Sequence, residues 1–510
     1  MFNRKRILFV TQRPSDFYEI KRAVEFFTSE GYECFMLCVF SPYNDNVFSL
    51  VLKKILIEKS LIKIFIQIDG FIEEFSEKNY FKTQKKKNKK KNKRFFIKNS
   101  KLYFFLKRFK MIVFISALEK FKYRIKNIIK KRVRLIKSLF FIIALFFKNR
   151  KNYRKLLSHL NINIIILPED IVGLVTPVMI AAGHHYNIPS LILPYTIANQ
   201  EEAFQSLKNQ PHYSLQLFSN KLTGFIFRKW IMKKEGHSVL RLPAPYVYGH
   251  LLTRTVPPDP WMMNSGYANL IAVESEKMYE YYLKAGIPKS KMQVVGALYD
   301  DYLARYSLNK IREREKIYYQ LNLPPDKPLF FIGGFPNQLS AIVPRFDFQD
   351  IFGFVSFIVE TLSCLKEQYH IIFRPHPNYL ELSKLFEKQG ILPTLMPTDL
   401  LVSVADVYLA FASATIRWAI ACGLPVINYD VFYYQYTDYK NVPSVLHANT
   451  KEEFILAVYS IKNEVKLREL QALAHKEKNK WGYLDGKSSE RINHLVQKLC
   501  NLKKVKRTAV

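Results

Sequence analysis

The chain has 510 residues, with 78 Lys and Arg against 43 Asp and Glu, a formal net charge of +35 and a pI near 9.7. That length is well beyond what one hydrophobic core supports, so two domains are expected, and 49% apolar with 15% aromatic residues excludes global disorder. Such a positive balance calls for a negative partner: nucleic acid, anionic lipid or a phosphorylated substrate. Five cysteines, Cys34, Cys38, Cys364, Cys422 and Cys500, are too scattered for a disulfide framework and contain no C-x-x-C zinc spacing, which fits a reducing compartment.

In MFNRKRILFVTQ the apolar run is only Ile7 to Val10, too short for a secretory signal. It predicts a first strand over Arg6 to Thr11. Gln12 to Asp16 then forms a turn, Phe17 to Glu30 has helical periodicity stopping at Gly31, and Glu33 to Phe40 reads as a second strand. No G-x-G-x-x-G follows the first strand, which argues against a dinucleotide cofactor.

Residues 50–158 interrupt this alternation and are expected to form a basic, apolar helical insertion. Lys85 to Arg94 holds eight basic residues in ten, and from Lys101 to Lys155 clusters of Phe, Ile and Leu alternate with Lys and Arg. The longest uncharged run, Ser138 to Phe147, is too short to span a bilayer. A basic segment with an apolar face suits an anionic membrane surface, so residues 83–155 are expected to dock there. The alternatives are a solvated, loosely helical insertion or, third, a nucleic-acid arm, for which no recognisable binding module is present.

An ordered domain is expected to resume at Asn161. Ile162 to Leu167 reads as a strand ending at Glu169 and Asp170, Leu174 to Tyr186 as a helix, and Ile188 to Leu193 as the next strand. The acidic pair lies where ligands of open α/β sheets bind, or it simply opens and caps the following helix. Pro194 to Pro260 reads as loop-rich. Leu270 to Glu274, Glu276 to Ala285 and Met292 to Val295 make a further strand-helix-strand unit, and Leu303 to Leu323 a charged helical connector.

Leu329 to Ile332 opens a second domain, followed by Gly333-Gly334, a pair that permits close backbone approach. Ile351 to Tyr369 reads as a long helix. His370 to Phe373 is a buried strand that stops at Arg374-Pro375-His376-Pro377-Asn378. Val407 to Phe411 is another strand, passing through Ser413 and Thr415 into a helix from Ile416 to Cys422 that ends at Gly423 and Pro425. Arg374, His376, Ser413 and Thr415 are therefore expected to converge on one anionic group at the carboxyl ends of parallel strands. A histidine between two prolines also suits a purely structural turn, and Arg417 and Trp418 read as packing. Helices are expected over Glu452 to Lys462 and Val465 to Lys480, then a basic, frayed tail from Lys503 to Arg507. The boundaries read 1–310 and 325–482 for the two domains, 311–324 for the linker and 483–510 for a terminal helix and tail.

The R-P-H-P-N turn, the S-A-T helix start and the G-L-P-V-I-N-Y-D exit resemble the donor-binding half of GT-B glycosyltransferases that build bacterial surface polysaccharides. The His-Pro and Ser/Thr elements are similar to those of sialyl- and Kdo-type transferases, and the layout resembles the non-hydrolysing sugar-nucleotide 2-epimerases. The resemblance implies an α/β fold of two Rossmann-like domains facing a central cleft. It implies a metal-independent enzyme, with no cofactor, that moves a sugar from a nucleotide-sugar donor to a surface-glycan or lipid-linked acceptor at the cytoplasmic membrane face. A 2-epimerase-like isomerase is the alternative and a non-catalytic scaffold the third. The resemblance further implies a nucleotide near Gly333 and Gly334, its phosphates on Arg374, His376, Ser413 and Thr415, and its sugar or ribose near Asp430. It implies acceptor contact at Arg13, Ser15 and Asp16, where the residues alone read equally as a capped turn. Glu169 or Asp170 would take the acceptor's proton and His376 would serve the leaving phosphate. In sialyltransferases the acidic pair is followed directly by Gly; here it is E-D-I-V-G, with Gly173 displaced.

Overall fold

A computed structural model describes residues 4–12, 14–38, 65–67, 139–194, 200–335, 346–376, 379–434 and 438–508. In the first domain β1 (Arg6–Thr11) leads through α1 (Pro14–Ser29) to β2 (Glu33–Cys38) and β3 (Phe65–Gln67). A helix over residues 139–160, α2, precedes β4 (Ile164–Leu167), α3 (Thr176–His185) and β5 (Ser190–Ile192). Next come α4 (Gln200–Leu207), α5 (Phe218–Ile226), the antiparallel hairpin of β6 (Ile231–Lys234) and β7 (His237–Leu240), and α6 (Ala244–Leu252). The unit closes with β8 (Leu270–Val273), α7 (Glu276–Lys284), β9 (Met292–Val294), α8 (Leu298–Leu308) and α9 (Lys310–Gln320). Its sheet has seven parallel strands in the order β3-β2-β1-β4-β5-β8-β9. From Ile7 to Val10 of β1 and throughout β4 the side chains are apolar and fully buried, as expected where helices cover both faces of a parallel sheet.

The second domain alternates β10 (Leu329–Gly333), α10 (Ile351–Leu362), β11 (His370–Arg374), α11 (Leu382–Lys388), β12 (Leu392–Pro393) and α12 (Thr398–Val404). It continues with β13 (Val407–Ala410), α13 (Ile416–Ala421), β14 (Val426–Tyr429), β15 (Val445–Ala448), α14 (Lys451–Lys462) and α15 (Glu464–Trp481). Six parallel strands lie in the order β12-β11-β10-β13-β14-β15. The molecule is thus two Rossmann-like α/β domains, as the resemblance implies. The last helix, α16 (Ser488–Thr508), returns to the first domain and buries Ile492, Leu495 and Val496 with Ile7 and Phe9 of β1.

The domains meet through charge as well as packing. Asp300, in the first turn of α8, receives Arg417 Nη2 of α13 at 2.7 Å, and neither residue is more than 1% exposed. Asp300 Oδ2 also accepts the Ala297 N–H at 3.0 Å and the Tyr483 N–H at 3.4 Å, so one carboxylate ties α8, α13 and the returning chain together. Asp301 beside it accepts the N–H groups of Ser488 and Ser489 at 2.9 and 2.8 Å and caps α16. Arg22 of α1 reaches Asp399 of α12 at 2.8 Å. Arg417 is therefore a buried inter-domain charge, not the plain packing residue the sequence suggests.

Three stretches differ from expectation. Within the expected 50–158 insertion, β3 pairs with β2, and α2 buries Ile142, Phe146, Tyr153 and Leu157 in the first core, so these parts belong to the domain. The Lys85–Arg94 run and the rest of 68–138 lie outside the described residues. The span read as loop, 194–260, holds three helices and a hairpin, because α5 turns small residues inward and offers no apolar periodicity to the core. The final helix runs through the stretch expected to fray. Among the described residues, no helix is long and apolar enough to cross a membrane.

Candidate functional site

The register of the second sheet places two of the expected residues, Gly333 and Arg374, side by side. Gly333 ends β10 directly opposite Arg374 at the end of β11, while β13 lies on the other side of β10. The two glycines are required by packing between these strand ends. A Cβ on Gly333 would overlap the Tyr408 hydroxyl, and one on Gly334 would overlap the His376 nitrogen and sit 2.5 Å from the Pro375 carbonyl carbon and 2.6 Å from the Arg374 carbonyl oxygen. Those neighbours of Gly334 are backbone and cannot swing away. Gly334→Ala is therefore expected to displace the Arg374–His376 turn, costing on the order of 1–3 kcal/mol as overpacking. Gly353→Ala, whose Cβ would meet only Asp350 Oδ1 at 3.5 Å, is expected to leave stability unchanged; paired denaturation curves check this.

Arg374 is half-buried, donating Nε–H to the Met396 carbonyl at 2.7 Å and, more weakly, Nη1–H to Pro375 O at 3.4 Å. These bonds fix the guanidinium plane at the sheet's edge. The His376 ring lies beside Tyr379, and burial, followed by the Arg374 charge, lowers its pKa and so favours the neutral ring. Pro377 and Asn378 lie outside the described residues.

From β13, Tyr408 points to the same edge. Its hydroxyl and Thr415 Oγ1 are 2.6 Å apart, and Thr415 Oγ1 is 2.8 Å from Ser413 Oγ. Burial pushes the Tyr408 pKa up to about 12, against the opposing pull of Thr415, Ser413 and the nearby Arg374 charge. Tyr408 is thus bonded to the hydroxyl pair and lies within reach of the Arg374 charge, and Ser413 and Thr415 are half-buried. The helix that follows, α13, has only six residues, so side chains rather than its dipole set the field here.

The loop holding Ser413 carries strain. Ala412 has φ +49°, uncommon for a residue with a Cβ. Its N–H is held by Asn428 Oδ1 at 2.9 Å; Asn428 Nδ2 donates to His447 Nδ1 at 3.5 Å, whose Nε2–H donates to Tyr439 O at 2.9 Å. Asn428 is thereby the support of the Ser413 loop. His447 and Tyr408 were missed, since a tyrosine inside a strand and a histidine in an edge strand give no pattern of their own.

Of the remaining expected residues, Asp430 and Asp170 are held by partners of their own. Asp430 is 6% exposed and closes the turn after β14, accepting the Tyr434 N–H at 2.9 Å. Asp170 is fully buried; its Oδ2 accepts the Ala268 N–H at 2.8 Å and its carbonyl accepts the Ser265 hydroxyl at 2.7 Å. Burial raises its pKa to about 6, offset in part by the Ala268 and Ser265 bonds. Glu169 is 1% exposed, with the buried Arg241 as a charged neighbour. The displaced Gly173, φ +152°, donates its N–H to Nε2 of the buried His250 at 3.1 Å, which pins this loop. Arg13 lies outside the described residues; Ser15 and Asp16 are in α1, their side chains outside the description. Among the described residues, no group of His, Cys, Asp and Glu suits a metal ion.

The chain matches no protein-family model and no curated protein sequence. Among solved structures it is similar to the UDP-GlcNAc 2-epimerase of Neisseria meningitidis, at 12% identity and TM-score 0.48, covering 97% of this chain and 100% of that one. It is similar to a glycosyltransferase from Rickettsia africae, at 13% identity and TM-score 0.44, with 98% and 99% covered. It is also similar to the wall teichoic acid polymerase TagF, at 13% identity and TM-score 0.43, over 67% of this chain and 74% of that one. Likenesses this distant carry nothing about substrate.

Proposed function

We propose that the chain is a GT-B type glycosyltransferase that takes a sugar from a nucleotide-activated donor. The carrying observation lies on the two strands that flank β10: Arg374 and His376 at the end of β11, and the linked Tyr408, Thr415 and Ser413 hydroxyls on and after β13. When the glycosidic bond to the phosphate breaks, negative charge builds on the leaving oxygens. A fixed guanidinium and preoriented hydroxyl donors stabilise that charge without reorganising. Neutral His376 donates one ring N–H to the same oxygens, and this proposal needs no metal. Glu169 or Asp170 is proposed to take the acceptor's proton. The acceptor is proposed to be a surface glycan or a lipid-linked sugar at the cytoplasmic membrane face.

Incubation with sugar nucleotides of UDP, CMP, GDP and CDP tests the reading. Slow release of free nucleotide, suppressed in His376→Ala, is the expected result. A new nucleotide-sugar epimer would make the protein an isomerase, and an unchanged panel would overturn the assignment.

A further inference from the structure

One helix of the first domain is built inside out. On α5 the buried side is Asn220, Thr223 and Gly224, whereas Phe218 is 80% exposed, Phe225 73%, Ile226 54% and Leu222 48%. Positions 218, 222, 225 and 226 fall on one helical stripe, so these side chains form a continuous apolar face rather than scattered exposures. The inward side is specified closely. Asn220 Nδ2 donates to the carbonyls of His212 at 2.7 Å and Ser214 at 3.1 Å, its Oδ1 accepts the Ala244 N–H at 3.1 Å, and a Cβ on Gly224 would come within 2.6 Å of Ile231 Cδ1. The helix therefore cannot roll to hide its phenylalanines. Next to it α6 ends with Leu251 and Leu252, also exposed.

The surrounding charge has one sign. Residues 203–258 contain eight Lys and Arg and a single acid, Glu235, which Lys208 holds at 2.7 Å. Lys221 and Arg228 flank the α5 stripe and Arg254 follows Leu252, all exposed. An apolar stripe rimmed by cations matches the interface of an anionic bilayer, where phenylalanines enter the acyl boundary and the cations meet phosphates. It matches the chain's own residues 68–138 poorly, since they carry 24 Lys and Arg against 5 Asp and Glu.

We infer that α5 and the end of α6 are the surface by which this protein docks on an anionic lipid bilayer, with Phe218, Leu222, Phe225 and Ile226 inserted. This site is distinct from the 83–155 stretch that the sequence suggests. Trp230, Leu240 and Val247 beneath the patch pack on Val172 of the loop after β4, so a docked bilayer sits beside the opening of the first sheet. The inference stands apart from the transfer chemistry, because nucleotide binding in the second domain should not respond to it.

Phe225→Trp provides a local reporter, since the four native tryptophans, 230, 261, 418 and 481, are at most 8% exposed. Its emission is expected to shift to the blue and to be quenched by brominated acyl chains on vesicles containing phosphatidylglycerol, and not on phosphatidylcholine alone. Phe218→Ser with Phe225→Ser is expected to lower partitioning to the anionic vesicles at least about tenfold, with unfolding midpoint, elution volume and nucleotide affinity unchanged. An unshifted reporter on protein that still sediments with the vesicles overturns the inference. So does a lowered midpoint, which would mean that the chain itself covers the face, or a changed elution volume, which would mean a second copy does.

Discussion

Replacing Arg417 by methionine is expected to destabilise the protein by about 3–5 kcal/mol, the typical cost of stripping one partner from a buried ion pair. The guanidinium donates to Asp300 and to the Trp481 carbonyl and lies over the Tyr299 ring at 4.7 Å. Burial works against its charge, yet Asp300, then Tyr299 and Glu274, hold its pKa above the usual value. Without it two buried carboxylates of the first domain, Asp300 and Glu274, lose the cation they share at the domain junction. Burial already raises Glu274 to about 7, with Arg417 pulling it down and Asp300 pushing it up, and burial raises Asp300 as well. A carboxylate whose folded pKa is raised adds stability fully below its unfolded pKa, near 4.5 for Glu274, and loses it as pH rises through the folded pKa. Removing Arg417 raises both pKa values further. The loss in Arg417→Met is therefore expected to be largest near pH 8 and to shrink toward pH 5, as denaturant unfolding at the two pH values will show; an equal loss at both would mean that the carboxylates are not its cause.

Arg374→Ala is expected to lower nucleotide release from the sugar donor by about 10²–10³-fold, the usual effect of deleting one preoriented donor to a developing oxyanion. The fold should persist. The lost Nε–H bond frees a backbone carbonyl at a half-exposed strand end, worth about 1 kcal/mol. Arg374→Lys restores charge without the planar fork, so partial recovery is expected. Turnover equal to the parent in Arg374→Ala would remove the guanidinium from the chemistry.

How much was legible depended on whether a residue's role is local. Strands such as Leu329–Gly333 and His370–Arg374 announce themselves by buried apolar runs cut off by glycine or proline, and the topology of two parallel sheets followed from that alternation. Arg374, His376, Ser413 and Thr415 were singled out because they end or follow such runs. Roles created by contacts between distant segments were not legible. Arg417 reads as a helix residue until Asp300, 117 positions away, meets it. Gly334 reads as a ligand-binding glycine until the His376 backbone lies against it. On α5 the period of apolar residues was present, but it faces outward, and sequence carries no sign for in or out.

The central claim is that Arg374 and the Ser413–Thr415 hydroxyls hold a nucleotide's phosphates. Thermal-shift titration with UDP, CMP, GDP and CDP, on the parent and on the pair Ser413→Ala with Thr415→Val, tests it most directly, since bound ligand raises stability as RT ln(1 + [L]/Kd). The account predicts that one nucleotide raises the parent's melting temperature and that the double variant loses most of that rise. A shift of the same size in both proteins, or no shift with any of the four, would contradict it.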